Sequence, residues 1–161
     1  MDRIEGTGSP SCSQPPSGCD GSIHRQLLVA FSHSNRAMRA RTRREGLKPG
    51  QPKVLEHLRS EDGCNQRAIG RACVMDASTV TSVLARMEAD GLVERRAVPG
   101  DRRGVSVALT PSGREAAERV SGHGDEVDAI CLAGFTPEER AQLARLLARV
   151  IANLERAEEA E

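Results

Sequence analysis

The stretch from Asn65 to Thr110 constrains the fold of this chain more than any other part of the sequence. Its first part, NQRAIGRACVMDASTVTSVLARMEADGLVERR, contains two short helical patterns separated by a turn. Its second part, AVPGDRRGVSVALT, has the pattern of two strands joined by a loop that carries glycine and arginine. A helix–turn–helix followed by a β-ribbon with a basic tip predicts a winged helix, which favours a protein that reads DNA.

Composition narrows the class of protein further. A chain of 161 residues fits one domain, and with two Phe and no Trp or Tyr its core must be aliphatic. Proteins that stack single-stranded bases on aromatic side chains are therefore disfavoured. The formal net charge is zero, but basic residues crowd the segment 36–53 and acids outnumber arginines after Glu138. This asymmetry predicts a basic DNA face, although an arginine-rich helix that is merely solvated has the same pattern.

The five cysteines are scattered and do not form a disulfide framework. Cys12 and Cys19 lie in a segment rich in Gly, Ser and Pro, for which we predict a flexible tail, and their spacing matches no standard zinc pair. Cys64 and Cys73 stand where a small hydrophobic residue would serve. With no apolar run at the N-terminus and none long enough to span a bilayer, we expect a cytoplasmic protein with no membrane partner.

Start and stop signals place six helices. The first runs from Ile23 to about Gly46, and Pro49 is expected in the first turn of the second. The third, fourth, fifth and sixth follow the N-caps Asn65, Asp76, Thr110 and Thr136. A kink or break is expected in the fifth helix, at Ser121-Gly122-His123-Gly124. The predicted inward residues include Ala68, Ile69 and Ala72 of the third helix, and Val105, Val107 and Leu109 of the second wing strand.

The first and last helices carry apolar stripes that a monomer of this size would struggle to cover, which predicts a homodimer. The expected fold is mainly α with a small β-wing (α+β), a winged helix–turn–helix lobe joined to a helical dimerisation region. The expected divisions are a tail at 1–21, a dimerisation helix at 22–46, the DNA-binding lobe at 47–112 and C-terminal dimerisation helices at 113–161.

These residues resemble the MarR family of bacterial transcription regulators. The resemblance rests on Ser-Thr-Val-Thr at 78–81, on RMEADGLVER at 86–95, on Asp-Arg-Arg at 101–103 and on VALTPSG at 107–113. It implies a dimer whose winged-helix lobes are joined through N- and C-terminal helices, and which binds pseudo-palindromic DNA operators. Half-sites would then lie about one helical turn apart.

The candidate DNA-binding residues lie on the recognition helix and the wing. Hydroxyls of the helix can meet phosphates or base edges, and Arg86 is long enough to reach a guanine. The resemblance implies that Arg103 enters the minor groove and that Asp101 orients an arginine. Phosphate contacts are expected from Arg102 and from Arg95 or Arg96, although solvated strand charges would look the same. The DNA-binding set is Ser78, Thr79, Thr81, Ser82, Arg86, Arg95, Arg102 and Arg103, with Asp101 in support.

We therefore predict a DNA-binding transcriptional regulator, a repressor relieved by a small-molecule or redox signal, with no cofactor. Relatives often bind an aromatic acid, but aromatic lining is scarce in this chain. The cysteine of oxidant-sensing relatives has no counterpart near Leu28, so Cys12, Cys19 or Cys131 would be a new redox site. The four His and Asp125 are too scattered to indicate zinc. An enzyme is disfavoured, and the alternative is a winged-helix module that binds protein instead of specific DNA.

Overall fold

The computed structural model describes residues 22–98 and 100–160, without the side chains of residues 98 and 101–104. Within these ranges the chain is mostly helical, with one small sheet, which confirms the predicted fold class. The helices are α1 (Ile23–Thr42), α2 (Gln51–Ser60), α3 (Gln66–Ala72), α4 (Ala77–Ala89), α5 (Pro111–Cys131) and α6 (Pro137–Glu158). The strands are β1 (Cys64–Asn65), β2 (Val93–Val98) and β3 (Asp101–Leu109).

The sheet is antiparallel with the strand order β1-β3-β2. The predicted two-strand wing is formed by β2 and β3, whose register places Val93 opposite Leu109 and Arg96 opposite Ser106. The short strand β1, which pairs Cys64 with Val107, was not predicted. A two-residue strand has no alternation to read from the sequence, because the pairing partner alone makes it a strand.

The core is aliphatic, as the composition predicted, and it lies where α2, α4 and α5 meet the sheet. Val54, Leu55 and Leu58 of α2 are fully buried at its centre. Cys73 is buried and Cys64 packs against the same cluster, which confirms their role as small core residues. The other buried members are Ile69, Val80, Val83, Leu84, Met87, Val93, Val107, Leu109, Ala116, Ala117 and Val120.

Local capping signals predicted the helix boundaries well. The side chains of Asn65, Asp76, Thr110 and Thr136 each accept a hydrogen bond from a backbone N–H of the first turn. Thr136 also forms the predicted capping box with Glu139. Gly46 takes the left-handed conformation, with φ of 77°, after the 3₁₀ turn Arg43–Glu45 that extends α1. These ends are encoded within a few residues, which is why the sequence alone places them.

Some expected positions are wrong. Pro49 precedes α2, because Gly50 is the N-cap with φ of 89° and Pro52 occupies the first turn instead. Ala72 is exposed, whereas Gly70 is buried against α4. Val105 is 45% exposed, because it lies on the part of β3 that projects into the wing. Ala108 alternates with the predicted inward residues Val107 and Leu109 and would therefore face outward, but it is buried where β3 enters the body of the lobe, so the strand loses its alternation there.

The predicted break in α5 is also wrong, because the helix runs without interruption from Pro111 to Cys131. Tertiary contacts outweigh the poor helix propensity of its two interior glycines. The neighbouring His123 bonds to Glu45, and Arg119 bonds to the same carboxylate from one turn earlier. Helix α5 is thereby fixed to the end of α1 both before and within the glycine-containing segment.

Two helices expose apolar surface. No residue of α6 is buried, and Leu146, Leu147, Ile151 and Leu154 are between 40% and 56% exposed. On α1, Ile23, Leu28 and Phe31 are each more than half exposed. No helix within the described ranges is long and apolar enough to cross a membrane. The predicted tail at 1–21 lies outside the described residues.

Candidate DNA interface

Helices α3 and α4 form a tight helix–turn–helix. The buried Gly70 of α3 lies against α4, since a Cβ at this position would be 3.3 Å from the carbonyl oxygen of Met75 and 3.5 Å from Cγ1 of Val80. In the turn, Val74 has a positive φ of 51° and a side chain that is 86% exposed. The close crossing holds α4 at a fixed angle across α3.

The outward face of α4 is made of small side chains. Its inward face consists of Val80, Val83, Leu84 and Met87, all of which are buried. Helical periodicity then places Ser78, Ser82, Ala85 and Ala89 along the opposite side. Small side chains let the helix backbone approach a groove closely, and longer polar residues stand on both flanks. Helix α4 has the shape expected of a recognition helix in the major groove, about 12 Å wide.

Asp76 engages two of the predicted hydroxyls. Its carboxylate accepts hydrogen bonds from Ser78 Oγ at 2.6 Å and from Thr79 Oγ1 at 2.7 Å, besides the capping bond from the Thr79 N–H. These bonds hold the pKa of Asp76 well below its usual range. The hydroxyl protons of Ser78 and Thr79 therefore point to the helix cap, and their oxygens remain as acceptors.

The other two hydroxyls differ from each other. Thr81 Oγ1 donates to the carbonyl oxygen of Ala77 at 2.7 Å and accepts from Nε2 of Gln66 at 2.6 Å. Ser82 is exposed, and its hydroxyl has no partner among the described residues. Gln66 was not among the predicted site residues, because nothing near it in sequence shows that α3 places it beside Thr81.

The arginines of the helix and the strand are held by contacts within the protein. Nε of Arg86 donates to the carbonyl oxygen of Ser82 at 3.2 Å, which lays this side chain along α4. Nε of Arg95 in β2 donates to Glu88 of α4 at 3.2 Å, and Arg96 pairs with Glu94 on its own strand. All these arginines are exposed, so each guanidinium keeps donors that face solvent.

The wing itself is a two-stranded ribbon. Its register becomes irregular after Ala97, so that Val98 pairs with Asp101, and Gly100 has φ of 84° at the tip. The backbone of the predicted wing residues Asp101, Arg102 and Arg103 belongs to β3. Their side chains lie outside the described residues, and their DNA contacts stay predictions.

A buried glutamine supports the recognition helix from behind. Gln51 at the start of α2 is 1% exposed, and its Nε2 donates to the carboxylate of Asp90 at 2.8 Å. The ammonium of Lys48 pairs with both oxygens of the same carboxylate, at 2.7 and 2.8 Å. Together with Gln51, Lys48 holds the pKa of Asp90 below its usual range. The C-terminus of α4 is thereby fixed to α2.

The basic segment 36–53 is only in part available to DNA. Arg41 pairs with Glu126, Lys48 with Asp90, and the ammonium of Lys53 lies 5.3 Å from the ring centroid of Phe31. The arginines at 36, 39, 43 and 44 are exposed and have no ion-pair partner among the described residues. This segment therefore combines tertiary ion pairs with an unpaired basic surface.

A cavity of about 430 Å³ lies between the end of α1 and α5. Its lining residues are Ala40, Arg41, Arg44, Glu45, His123 and Glu126. Burial alone would raise the pKa of Glu45, but hydrogen bonds from His123 and Arg119 lower it on balance. Nδ1 of His123 is buried without a hydrogen-bond partner. Across the described residues, no three His, Cys, Asp or Glu side chains are arranged to hold a metal ion.

Comparison with known proteins agrees with this architecture. A family model described as MarR family matches residues 45–104. The homoprotocatechuate degradative operon repressor of Escherichia coli is 30% identical over 81% of this chain and 90% of its own length. A MarR-family regulator from Silicibacter pomeroyi superposes with a TM-score of 0.73 at 29% identity, covering 81% of this chain and 89% of that one. A MarR-family regulator from Listeria monocytogenes, solved with a 26mer DNA, superposes with a TM-score of 0.79 at 19% identity, covering 83% and 89%, which supports the fold.

The helix–turn–helix, the small-residue face of α4 and the ribbon that follows it form the winged helix of a DNA-binding protein, and its relatives are transcriptional regulators and not enzymes. With the sequence match to a known operon repressor over most of both chains, the family follows directly. The chain belongs to the MarR family of transcriptional regulators.

Proposed function

We propose that this protein is a repressor that binds a pseudo-palindromic operator in duplex DNA as a homodimer. The observation that carries the proposal is the outward face of α4, where Ser78, Ser82 and Ala85 leave the helix backbone open to a groove. A winged helix that only binds protein would not need this small polar face flanked by arginines. An operon repressor among the relatives supports the direction of regulation.

The described contacts assign different tasks to the candidate residues. Ser82, whose hydroxyl has no partner among the described residues, lies at the centre of the face and can approach base edges or phosphates. Ser78, Thr79 and Thr81 offer acceptor oxygens, since their protons are engaged within the protein. Arg86 and Arg95 supply cationic donors for the phosphate backbone beside the groove. Arg102 would meet phosphate, and Arg103, oriented by Asp101, would enter the minor groove.

The dimer is supported by the apolar surface of α6 and α1. Leu146, Leu147 and Leu154 share one face of α6 while none of its residues is buried within the protomer. A stable helix of 22 residues with a continuous apolar stripe requires a partner surface. A second copy supplies the same stripe through a two-fold axis, and the two recognition helices would then face one side of the duplex.

The proposal includes a small-molecule effector, and the open cleft between the end of α1 and α5 is its candidate site. The cavity between α1 and α5 has a volume within the range of small-ligand sites. This cavity lies between the predicted dimerisation helix and α5, so a ligand bound there could change the spacing of the two lobes. Burial raises the pKa of the Cys64 and Cys73 thiols, which keeps both protonated and unreactive. A redox signal would therefore have to act at the exposed Cys131 or in the tail.

Selection of binding sites from random DNA duplexes tests the proposal directly. The expected result is an enriched motif with two-fold symmetry and half-sites about one helical turn apart. Affinity for that motif should then fall steeply with salt, because phosphate contacts release counterions. Enrichment of no motif, together with a flat dependence of affinity on salt, would favour the protein-binding alternative.

A further inference from the structure

The polar contact between Gln66 of α3 and Thr81 of α4 lies on the outer side of the helix–turn–helix. Nε2 of Gln66 donates to Thr81 Oγ1 at 2.6 Å, and this hydroxyl donates in turn to the carbonyl oxygen of Ala77 at 2.7 Å. The chain of bonds therefore has one direction, from the glutamine amide through the threonine hydroxyl to the helix backbone. It fixes a flexible side chain against the recognition helix.

The bond uses only part of what the glutamine amide offers. A glutamine carries two amide hydrogens and one carbonyl oxygen, and Thr81 takes one of these hydrogens. No other partner of Gln66 is present in the part of the chain that the structure describes. One donor and one acceptor therefore remain side by side on a partly exposed side chain next to α4.

An adjacent donor and acceptor on an amide match one base edge in the major groove. Adenine presents its N7 acceptor beside its N6 donor, and a glutamine amide can bond to both at once. We propose that Gln66 is a specificity-determining residue that reads an adenine, and that Thr81 acts as the positioning residue that holds its amide. The inference rests on the proposed DNA-binding function and adds a base-reading residue from α3 to those of α4.

The arrangement also explains why Thr81 is suited to positioning more than to direct contact. Its single hydroxyl proton is committed to Ala77, and one oxygen lone pair is committed to Gln66. The bond to Gln66 places Thr81 on the flank of α4 that faces α3, and helical periodicity places it away from the central line of Ser78 and Ser82. Pre-orientation by Thr81 limits the side-chain entropy that Gln66 loses when it binds a base.

Binding-site selection with the full-length wild type and with Gln66→Ala tests the inference. The wild-type motif should contain, in each half-site, one position that prefers an A·T pair, and the variant should lose this preference at that position alone. Affinity for the preferred site should fall roughly 5- to 150-fold, the value of a good bidentate base contact. Gln142→Ala on the exposed surface of α6 is the matched control and should leave the motif unchanged.

Two further variants, Gln66→Glu and Thr81→Val, distinguish recognition of a base by Gln66 from a purely structural role of its bond to Thr81. Gln66→Glu should lose the adenine preference as Gln66→Ala does, since a carboxylate has no N–H to donate to Thr81 Oγ1 or to adenine N7. Thr81→Val should weaken the preference in the wild-type background and have no further effect in Gln66→Ala. An unchanged motif with Gln66→Ala, or a uniform loss of affinity across all sequences, would overturn the inference and leave the proposed function intact. A wild-type protein that enriches no motif would overturn both.

Discussion

The side-chain amide of Gln51 and the carboxylate of Asp90 form a 2.8 Å hydrogen bond that joins the start of α2 to the end of the recognition helix. The Oε1 atom of Gln51 also accepts from the backbone N–H of Lys48, again at 2.8 Å. The side chain of Gln51, which is 1% exposed, thus bonds both to the backbone N–H of Lys48 and to the carboxylate of Asp90. The orientation of α4 depends on this buried contact as well as on apolar packing.

Replacement of Gln51 by methionine should destabilise the fold by about 1–3 kcal/mol, because the part-buried N–H of Lys48 loses its acceptor and the carboxylate of Asp90 loses a donor. Urea denaturation followed by circular dichroism measures this change in the free energy of unfolding. Gln142→Met makes the same chemical change on the exposed surface of α6, where we expect an effect within about 0.5 kcal/mol. Equal effects of the two substitutions would show that the Gln51 bonds contribute little.

Gly113 in the first turn of α5 lies directly against the backbone of Leu92. A Cβ at this position would fall inside van der Waals contact with the Leu92 carbonyl oxygen. Gly113→Ala should therefore destabilise the lobe by at least about 1–3 kcal/mol, as overpacking does in rigid surroundings.

Gly122→Ala is the matched control for Gly113→Ala, because it changes the same helix where a Cβ meets nothing within 4 Å. It should stabilise the fold by up to about 1 kcal/mol, the propensity difference between glycine and alanine in a helix interior. The two alanine variants should thus shift the unfolding midpoint in opposite directions. Shifts of the same sign would contradict the packing described at Leu92.

Asp62 should make the stability of the lobe depend on pH. Burial would raise its pKa, but the N–H of Leu109 and the guanidinium of Arg114 bond to its carboxylate and lower the pKa on balance. A depressed folded-state pKa means that the ionised group stabilises the fold above the ordinary aspartate pKa of about 3.9. This contribution is lost as the pH falls through the folded-state pKa.

Asp62→Asn should therefore lower the free energy of unfolding at pH 7 and differ less from the wild type at pH 3. Asp128→Asn, an exposed position on α5 that makes no side-chain hydrogen bond among the described residues, is the control and should match the wild type at both pH values. The measurement is urea denaturation at each pH. If the free energies of unfolding of the wild type and Asp62→Asn differ by the same amount at pH 7 and pH 3, ionisation of Asp62 does not make stability depend on pH.

The proposed dimer predicts that Leu147→Glu abolishes self-association. Leu147 is 40% exposed on the apolar face of α6, and a carboxylate there cannot be desolvated without a large penalty. Sedimentation velocity should change from dimer to monomer, with helix content retained. Ala152→Glu on the opposite face of α6 should leave the dimer intact. A dimeric Leu147→Glu protein would place the interface elsewhere.

The wing prediction is tested by Arg103→Ala. Loss of a minor-groove arginine should weaken operator binding by about 1–3 kcal/mol, as judged by gel-shift titration against the selected motif. Arg59→Ala serves as the control, because its guanidinium is already paired with Glu118 at 3.0 Å on α2 and α5. Unchanged affinity of Arg103→Ala would remove the wing from the proposed interface.

Contacts between near neighbours were predictable from the sequence. The four N-caps, the capping box at Thr136 and the buried stripe of α2 follow from spacing within one or two helical turns. The bonds that organise the site join residues far apart in sequence, with Gln66 paired to Thr81 and Gln51 paired to Asp90. Neither Gln51 nor Gln66 stands in a local sequence pattern that distinguishes it from an ordinary surface glutamine. The fold brings the partners together, and so these contacts appear only in the structure.

Local propensity also misled where tertiary contacts were stronger. The glycines at 122 and 124 predicted a break in α5, whereas the bonds of Arg119 and His123 to Glu45 keep the helix continuous against α1. The turn of the helix–turn–helix shows the same competition. Val74 has a positive φ of 51°, which β-branched residues avoid, in the turn between the closely packed α3 and α4.

The exposed apolar face of α6 makes the stability and the DNA binding of the proposed dimer depend on protein concentration. In the proposed dimer, each copy acts as a stabilising ligand of the other, so the midpoint of thermal unfolding rises with protein concentration. Dilution then loosens the C-terminal helices and separates the two recognition helices in one event. Occupancy of a two-fold operator would respond to protein abundance more steeply than the affinity of one winged helix allows.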